Sequence, residues 1–137
     1  MTLSIRPVLT ANIHQTWPLV ESFLAEALKW GEDDYTAEQA KVYLAKGDWL
    51  LVVAVDEENA IKGAAAISFN NLPNHRVAFI VAIGGKLISN QETFRQFSEL
   101  LKSYGATKIQ GAVRDVVAKW AAKYGFRERY TIVEATL

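Results

Sequence analysis

Between Trp49 and Ile83 the chain carries three apolar runs, residues 49–55, 61–69 and 76–83, separated by two polar stretches. Asp56-Glu57-Glu58-Asn59 and Asn70-Asn71-Leu72-Pro73-Asn74 have turn chemistry, and the runs are short and largely apolar or β-branched. Residues 49–55 and 61–69 read as an antiparallel hairpin, and residues 76–83 as the next central strand. The nearly continuous apolar content of 49–55 predicts a strand buried on both faces. Such a sheet needs helices to cover it.

The flanking sequence supplies them. Trp17, Val20, Phe23, Leu24, Ala27 and Leu28 follow three–four spacing, which predicts an amphipathic helix over 13–30 that stops near Gly31. Thr36 and Gln39 form a capping-box start for a second helix, ending at Gly47. Phe94, Phe97, Leu100, Leu101 and Tyr104 mark a third helix, closed by Gly105. Residues 116–124 read as a short fourth. Residues 3–8, with Pro7 suited to an edge, and 107–113 and 129–135 read as further strands. The expected order is β-α-α-β-β-β-α-β-α-β: an α+β, mixed α/β chain with a largely antiparallel sheet of about six strands and about four helices.

Composition narrows the class. The chain has 137 residues, half of them hydrophobic, which suits a single domain over 1–137. Fifteen basic and 15 acidic side chains cancel, so neither nucleic acid nor a membrane surface is indicated as a partner. With no cysteine there is no disulfide, zinc–thiolate site or thiol nucleophile. His14 and His75 stand far apart, so no metal site is expected. No window suggests a transmembrane span, and 1–10 lacks the pattern of a signal peptide, so a cytoplasmic setting is expected.

This order resembles the GNAT acetyltransferase superfamily. Ile61-Lys62-Gly63 after an acidic turn and the closing Ala121-Ala122-Lys123-Tyr124-Gly125-Phe126 carry the likeness, which covers nearly the whole chain. Within it, residues 76–86, Tyr104-Gly105-Ala106-Thr107-Lys108-Ile109, Arg114, Trp120, Gly125-Phe126 and Tyr130-Thr131-Ile132-Val133-Glu134 look like the small GNAT-like proteins that tailed bacteriophages encode near their virion genes. Some podophage internal virion proteins are similar. That resemblance implies a bacterial host cytoplasm or a virion, with phage or host proteins, or further copies of the chain, as partners.

The superfamily implies acetyl-CoA as cofactor. Its amides would lie along Val81, Ala82 and Ile83, and its pyrophosphate near Gly84, Gly85 and Lys86. The family's phosphate loop has the form Gln/Arg-x-x-Gly-x-Gly/Ala. Here the glycines come earlier, at the strand end, and Leu87-Ile88-Ser89-Asn90-Gln91-Glu92 holds none. Ser89 and Glu92 read as a capping box that would occupy the N–H groups a phosphate needs. A carboxylate there would repel a phosphate by roughly 4 kcal/mol at about 4 Å near a surface.

The family's acid, a tyrosine four residues before the glycine of the closing helix, corresponds to Ala121. Arg114 stands where an asparagine is common. Tyr124 and Tyr130 are the remaining catalytic candidates, by another geometry. Glu32-Asp33-Asp34 would border an acceptor entrance or form a solvated turn. Lys119, Lys123, Arg127 and Arg129 read as a solvated face. Trp30, beside Gly31, would favour a partner contact if exposed. Two readings follow. In the first, the protein is a catalytically degenerate GNAT-like phage component without cofactor. In the second, it is an acetyl-CoA-dependent N-acetyltransferase of a primary amine. The departures at the loop and the tyrosine favour the first.

Overall fold

The computed structural model of the chain describes residues 2–31 and 33–137. Strands β1 (Ser4–Val8), β2 (Trp49–Val55), β3 (Ile61–Asn71), β4 (Arg76–Gly85) and β5 (Lys108–Gly111) form one sheet, in that spatial order. β1 to β4 pair antiparallel, and β5 runs parallel to β4. Helices α1 (Ile13–Leu28) and α2 (Ala37–Lys46) connect β1 to β2, α3 (Gln91–Ser103) crosses from β4 to β5, and α4 (Asp115–Ala121) follows β5. Among the described residues no helix is long and apolar enough to cross a membrane.

The sheet is buried on both faces because β2 is apolar at every position and β3 and β4 are free of polar side chains over residues 63–67 and 77–83. Leu51, Val53, Ala64, Ala66 and Ala82 pack under α1 and α2, against Ile13, Trp17, Val20, Leu24, Ala40 and Leu44. Val52, Ala54, Ala65, Ile67 and Ala78 pack on the other face, against Leu87, Phe97 and Leu101. The small run Ala64-Ala65-Ala66 lets helices approach from both sides. Pro7 sits on the edge strand β1, opposite Val52, where its missing donor is tolerated. The capping box of α2 forms as the sequence predicts: Thr36 Oγ1 accepts from the Gln39 N–H and Gln39 Oε1 from the Thr36 N–H.

The structure departs from the sequence-based expectation at several places: β3 extends through Asn70 and Asn71, expected as turn residues, β4 extends to Gly85, and α4 covers Asp115–Ala121 with a 3-10 turn after it. α1 ends at Leu28 and continues to Gly31 as one tighter 3-10 turn. The strand over 107–113 pairs only over Lys108–Gly111. The sixth strand, over 129–135, does not form: the sheet has five strands, and 126–137 joins none of them. Its residues have strand propensity, but a strand exists only through a ladder partner, and the chain brings none alongside.

Candidate functional site: the opening between β4 and β5

β4 and β5 pair over 77–80 of β4, and the last pair is Ile80 with Gly111. The next residue, Val81, is a β-bulge: Ile80 pairs with Ile67 and Ala82 with Ala66, so Val81 has no partner on β3. Val81 and Ala82 consequently both pack toward α1. A bulge bends its strand and sharpens the twist. β4 runs on to Gly85. β5 itself ends at Gly111, its last paired residue, so beyond Ile80 the β4 edge has no ladder partner on that side. Of the sequence candidates, Val81, Ala82 and Ile83 lie on this edge.

The glycines at its end serve packing. A Cβ on Gly84 would lie 2.5 Å from the Phe23 carbonyl oxygen, so this glycine admits the α1 backbone. Gly85 has φ +66° and is also crowded by the Lys62 carbonyl. Gly84 and Gly85 pair with Ala64 and Gly63, and the Lys86 N–H donates to the Lys62 carbonyl at 2.8 Å. Leu87 and Ile88 are buried in the α3-side core. The segment 84–88 is therefore a packed strand end, and its N–H groups do not converge on an anion.

The helix start is capped one residue later than Ser89. Asn90 Oδ1 accepts from the Thr93 N–H at 2.9 Å, and Thr93 Oγ1 accepts from the N–H groups of Asn90 and Ser89. The box is Asn90–Thr93, because the short Thr93 hydroxyl, buried against the core, reaches both amides. Glu92 instead faces Arg95, whose Nε and Nη2 donate to it at 2.9 and 2.7 Å. Those bonds, and then one from Gln96, hold its carboxyl below the usual range. The charge beside the helix start is thereby partly neutralised.

Beyond the sheet, several contacts join residues distant in sequence. The Arg114 guanidinium lies 3.8 Å from the Trp30 ring centroid, joining the end of β5 to the end of α1. Trp30 remains 56% exposed, so the stack sits at the surface. Phe94 of α3 meets Tyr124 at 5.3 Å and Phe126 at 5.7 Å between ring centroids, and Tyr124 also meets Trp120. The Gln91 Nε2 donates to the Lys123 carbonyl at 3.2 Å. Tyr124 is thus half-buried on the α3–α4 seam. Tyr130 stands on the exposed segment after it, beside the Arg129 guanidinium, and belongs to no cluster around the opening. Among the described residues no group of His, Asp and Glu is arranged to hold a metal. Glu32 lies outside the described residues, and Asp33 and Asp34 are exposed.

The bulge, the Trp30–Arg114 stack and the Gln91–Lys123 bridge carry no sequence signal. Each depends on which segments the sheet brings together.

This architecture, a four-stranded antiparallel half with a bulge in β4 and a parallel crossover strand, is shared with solved acetyltransferases. The chain superposes over 100% of its length, and 99% of the other's, on an aminoglycoside acetyltransferase from an uncultured soil metagenomic sample, with TM-score 0.69 and 14% identity. Over 99% of its length it matches the aminoglycoside 6'-N-acetyltransferase AAC(6')-Ih of Acinetobacter baumannii, with 98% of that chain covered, TM-score 0.65 and 12% identity. A predicted acetyltransferase of Clostridium acetobutylicum, solved with acetyl-CoA, matches over 98% of this chain and 96% of its own, with TM-score 0.61 and 16% identity. No protein-family model matches the sequence, and no curated protein matches it. The chain therefore has the fold of the GNAT acetyltransferases.

Proposed function

We propose that the protein is an acetyl-CoA-dependent N-acetyltransferase acting on a primary amine. The observation supporting this is the end of β4–β5 pairing at Ile80–Gly111, beside the bulge at Val81, which leaves the strand edge over 81–83 without a ladder partner and available to the amides of an extended ligand. Strand edges bind such amides as a neighbouring strand would, through backbone N–H and C=O groups. Acetyl-CoA has two pantetheine amides and fits that edge; its thioester supplies the activated acyl group. The pyrophosphate does not fit Gly84-Gly85, whose space belongs to α1 and β3. The Lys86 side chain and the first turn of α3 are the nearest cationic and N–H-bearing groups in sequence.

In the transfer, the amine nitrogen forms a bond to the acyl carbon and the carbon–sulfur bond breaks. The amine proton leaves to a base, and the thiolate takes a proton from an acid. Tyr124, on the α3–α4 seam, is the acid this reading assigns. Calorimetric titration with acetyl-CoA, followed by thiol-release assays over a panel of primary amines, tests it. Saturable binding and amine-dependent thiol release are expected. Tyr124→Phe should leave binding unchanged and slow turnover about 100-fold or more. Absence of binding up to about 1 mM, near −4 kcal/mol, rejects the proposal.

A second reading rests on the departures from the family pattern: no glycine in 86–91, alanine at 121 and Arg114, stacked on Trp30, where an asparagine is common. Here the chain is a catalytically degenerate GNAT-like scaffold, a component of a phage particle or of its contact with the host. Binding without turnover, for any amine, separates this reading from the first.

A further inference from the structure

Helix α1 packs across β3 and β4, and α2 packs on β2. The corner of that sheet face where β1, the end of β2 and the start of β3 meet carries a groove of about 510 Å³. Small-molecule sites have volumes of about 300–1,000 Å³. The floor of this groove is apolar: Val53, Val55 and Ile61 pack into the α1-side core beneath it. Across β1, β2 and β3 the floor measures roughly 10 Å, and along β2 from Val53 to Val55 roughly 7 Å.

Polar groups stand around this floor. Arg6 pairs with Val53 in the β1–β2 ladder, and directly opposed residues share a sheet face, so the Arg6 side chain stands on the same face as Val53. Among the described residues Arg6 is the only charged one lining the groove, and it joins no ion pair. Asn12 and Thr16 line it from the start of α1, and the Asn12 side chain does not cap that helix. Asn59 lines it from the β2–β3 turn, held at φ +64°.

One guanidinium and three neutral hydrogen-bonding side chains around an apolar floor suit a ligand with a negative end and an apolar body. The guanidinium fork matches the two oxygens of a carboxylate, charge for charge. A phosphate monoester would set about two negative charges against that one cation. We infer that the groove is a binding site for a small aliphatic carboxylate, its charge on Arg6 and its chain on Val53, Val55 and Ile61. The site is separate from the opening beside β5 and does not depend on acyl transfer there. In the row Arg6–Val53–Ala64–Gly84, Arg6 stands three strands from Gly84, roughly 14 Å away, and the α1 backbone at Phe23 closes over Gly84.

The test titrates ¹⁵N-labelled full chain with octanoate, and in parallel with octanol and octylamine, following backbone amide shifts. Octanoate should saturate with a Kd below about 1 mM, move the amides of Val53, Val55, Asn59 and Ile61, and leave 81–83 in place. Octylamine should move none of them. Arg6→Gln should weaken octanoate about tenfold or more and leave any weaker response to octanol unchanged. Asn59→Gly, which keeps the left-handed turn, should weaken octanoate as well. Failure of octanoate to saturate by about 10 mM overturns the inference. So does equal binding of octanol and octanoate, or octanoate affinity that Arg6→Gln leaves unchanged. Octanoate shifts centred on 81–83 also overturn it, because they place the ligand in the opening beside β5.

Discussion

A methyl group on Gly84 would meet the carbonyl oxygen of Phe23, in the backbone of a packed helix, and neither partner can yield without moving α1 from the sheet. Gly84→Ala is therefore expected to destabilise the protein by roughly 1–3 kcal/mol, read as a lower urea midpoint with unchanged slope. An unchanged midpoint would contradict the close approach of α1. The sequence showed two adjacent glycines at a strand end but not which neighbour demanded them, because that neighbour is about sixty residues away in the chain. Asp56 is a case where local chemistry sufficed. Its carboxylate accepts from the N–H groups of Ala60 and Glu58 at 3.0 and 2.9 Å, closing the β2–β3 turn. The Ala60 bond, then that from Glu58 and the Lys62 charge, lower its pKa. A lowered folded-state value means that stabilisation is present above the unfolded value, about 3.9, and is lost as pH falls through the folded one. The melting temperature of wild type should exceed that of Asp56→Ala at pH 6, and the gap should narrow as the pH is lowered to 3. A gap independent of pH would show that the carboxylate charge takes no part.

At the scale of elements, helix existence was legible and helix termini less so. The three–four stripes placed α1 and α3, while the Thr36–Gln39 cap and Gly47 placed α2. In α3 the box slipped by one residue, from Ser89–Glu92 to Asn90–Thr93. Only Ser89–Glu92 has the usual Glu or Gln three residues after the cap; the buried Thr93 hydroxyl makes the reciprocal bond in its place. Asn90→Ala should cost about 1 kcal/mol, and Ser89→Ala much less, as thermal melts of the two variants would show. Equal losses would return the cap to Ser89. The run 76–83 was read as a regular strand, and nothing in its β-branched content marks Val81 as bulged. A bulge is a matter of register between two strands, here β3 and β4, which the content of one strand does not reveal.

At the scale of the molecule, the alternation of helix and strand periods fixed the layers, the antiparallel half and the crossover to β5. The fold class was therefore legible, and the structural matches at low identity agree with it. The expectation of a sixth strand was not met within the chain, because residue propensity does not supply a ladder partner. Of the expected site, the sequence shows the strand over 81–83 but not that its edge lies beyond the end of β5. The glycines beyond it belong to packing. The account stands on that opening being an acyl-CoA groove. The most direct measurement is titration of uniformly ¹⁵N-labelled protein with acetyl-CoA, following backbone amide shifts. The account predicts saturable shifts concentrated at Val81, Ala82, Ile83 and Gly111, with small changes along β1 and β2. Amides of 81–83 that stay unmoved at millimolar acetyl-CoA would contradict it and leave the opening a feature of fold alone.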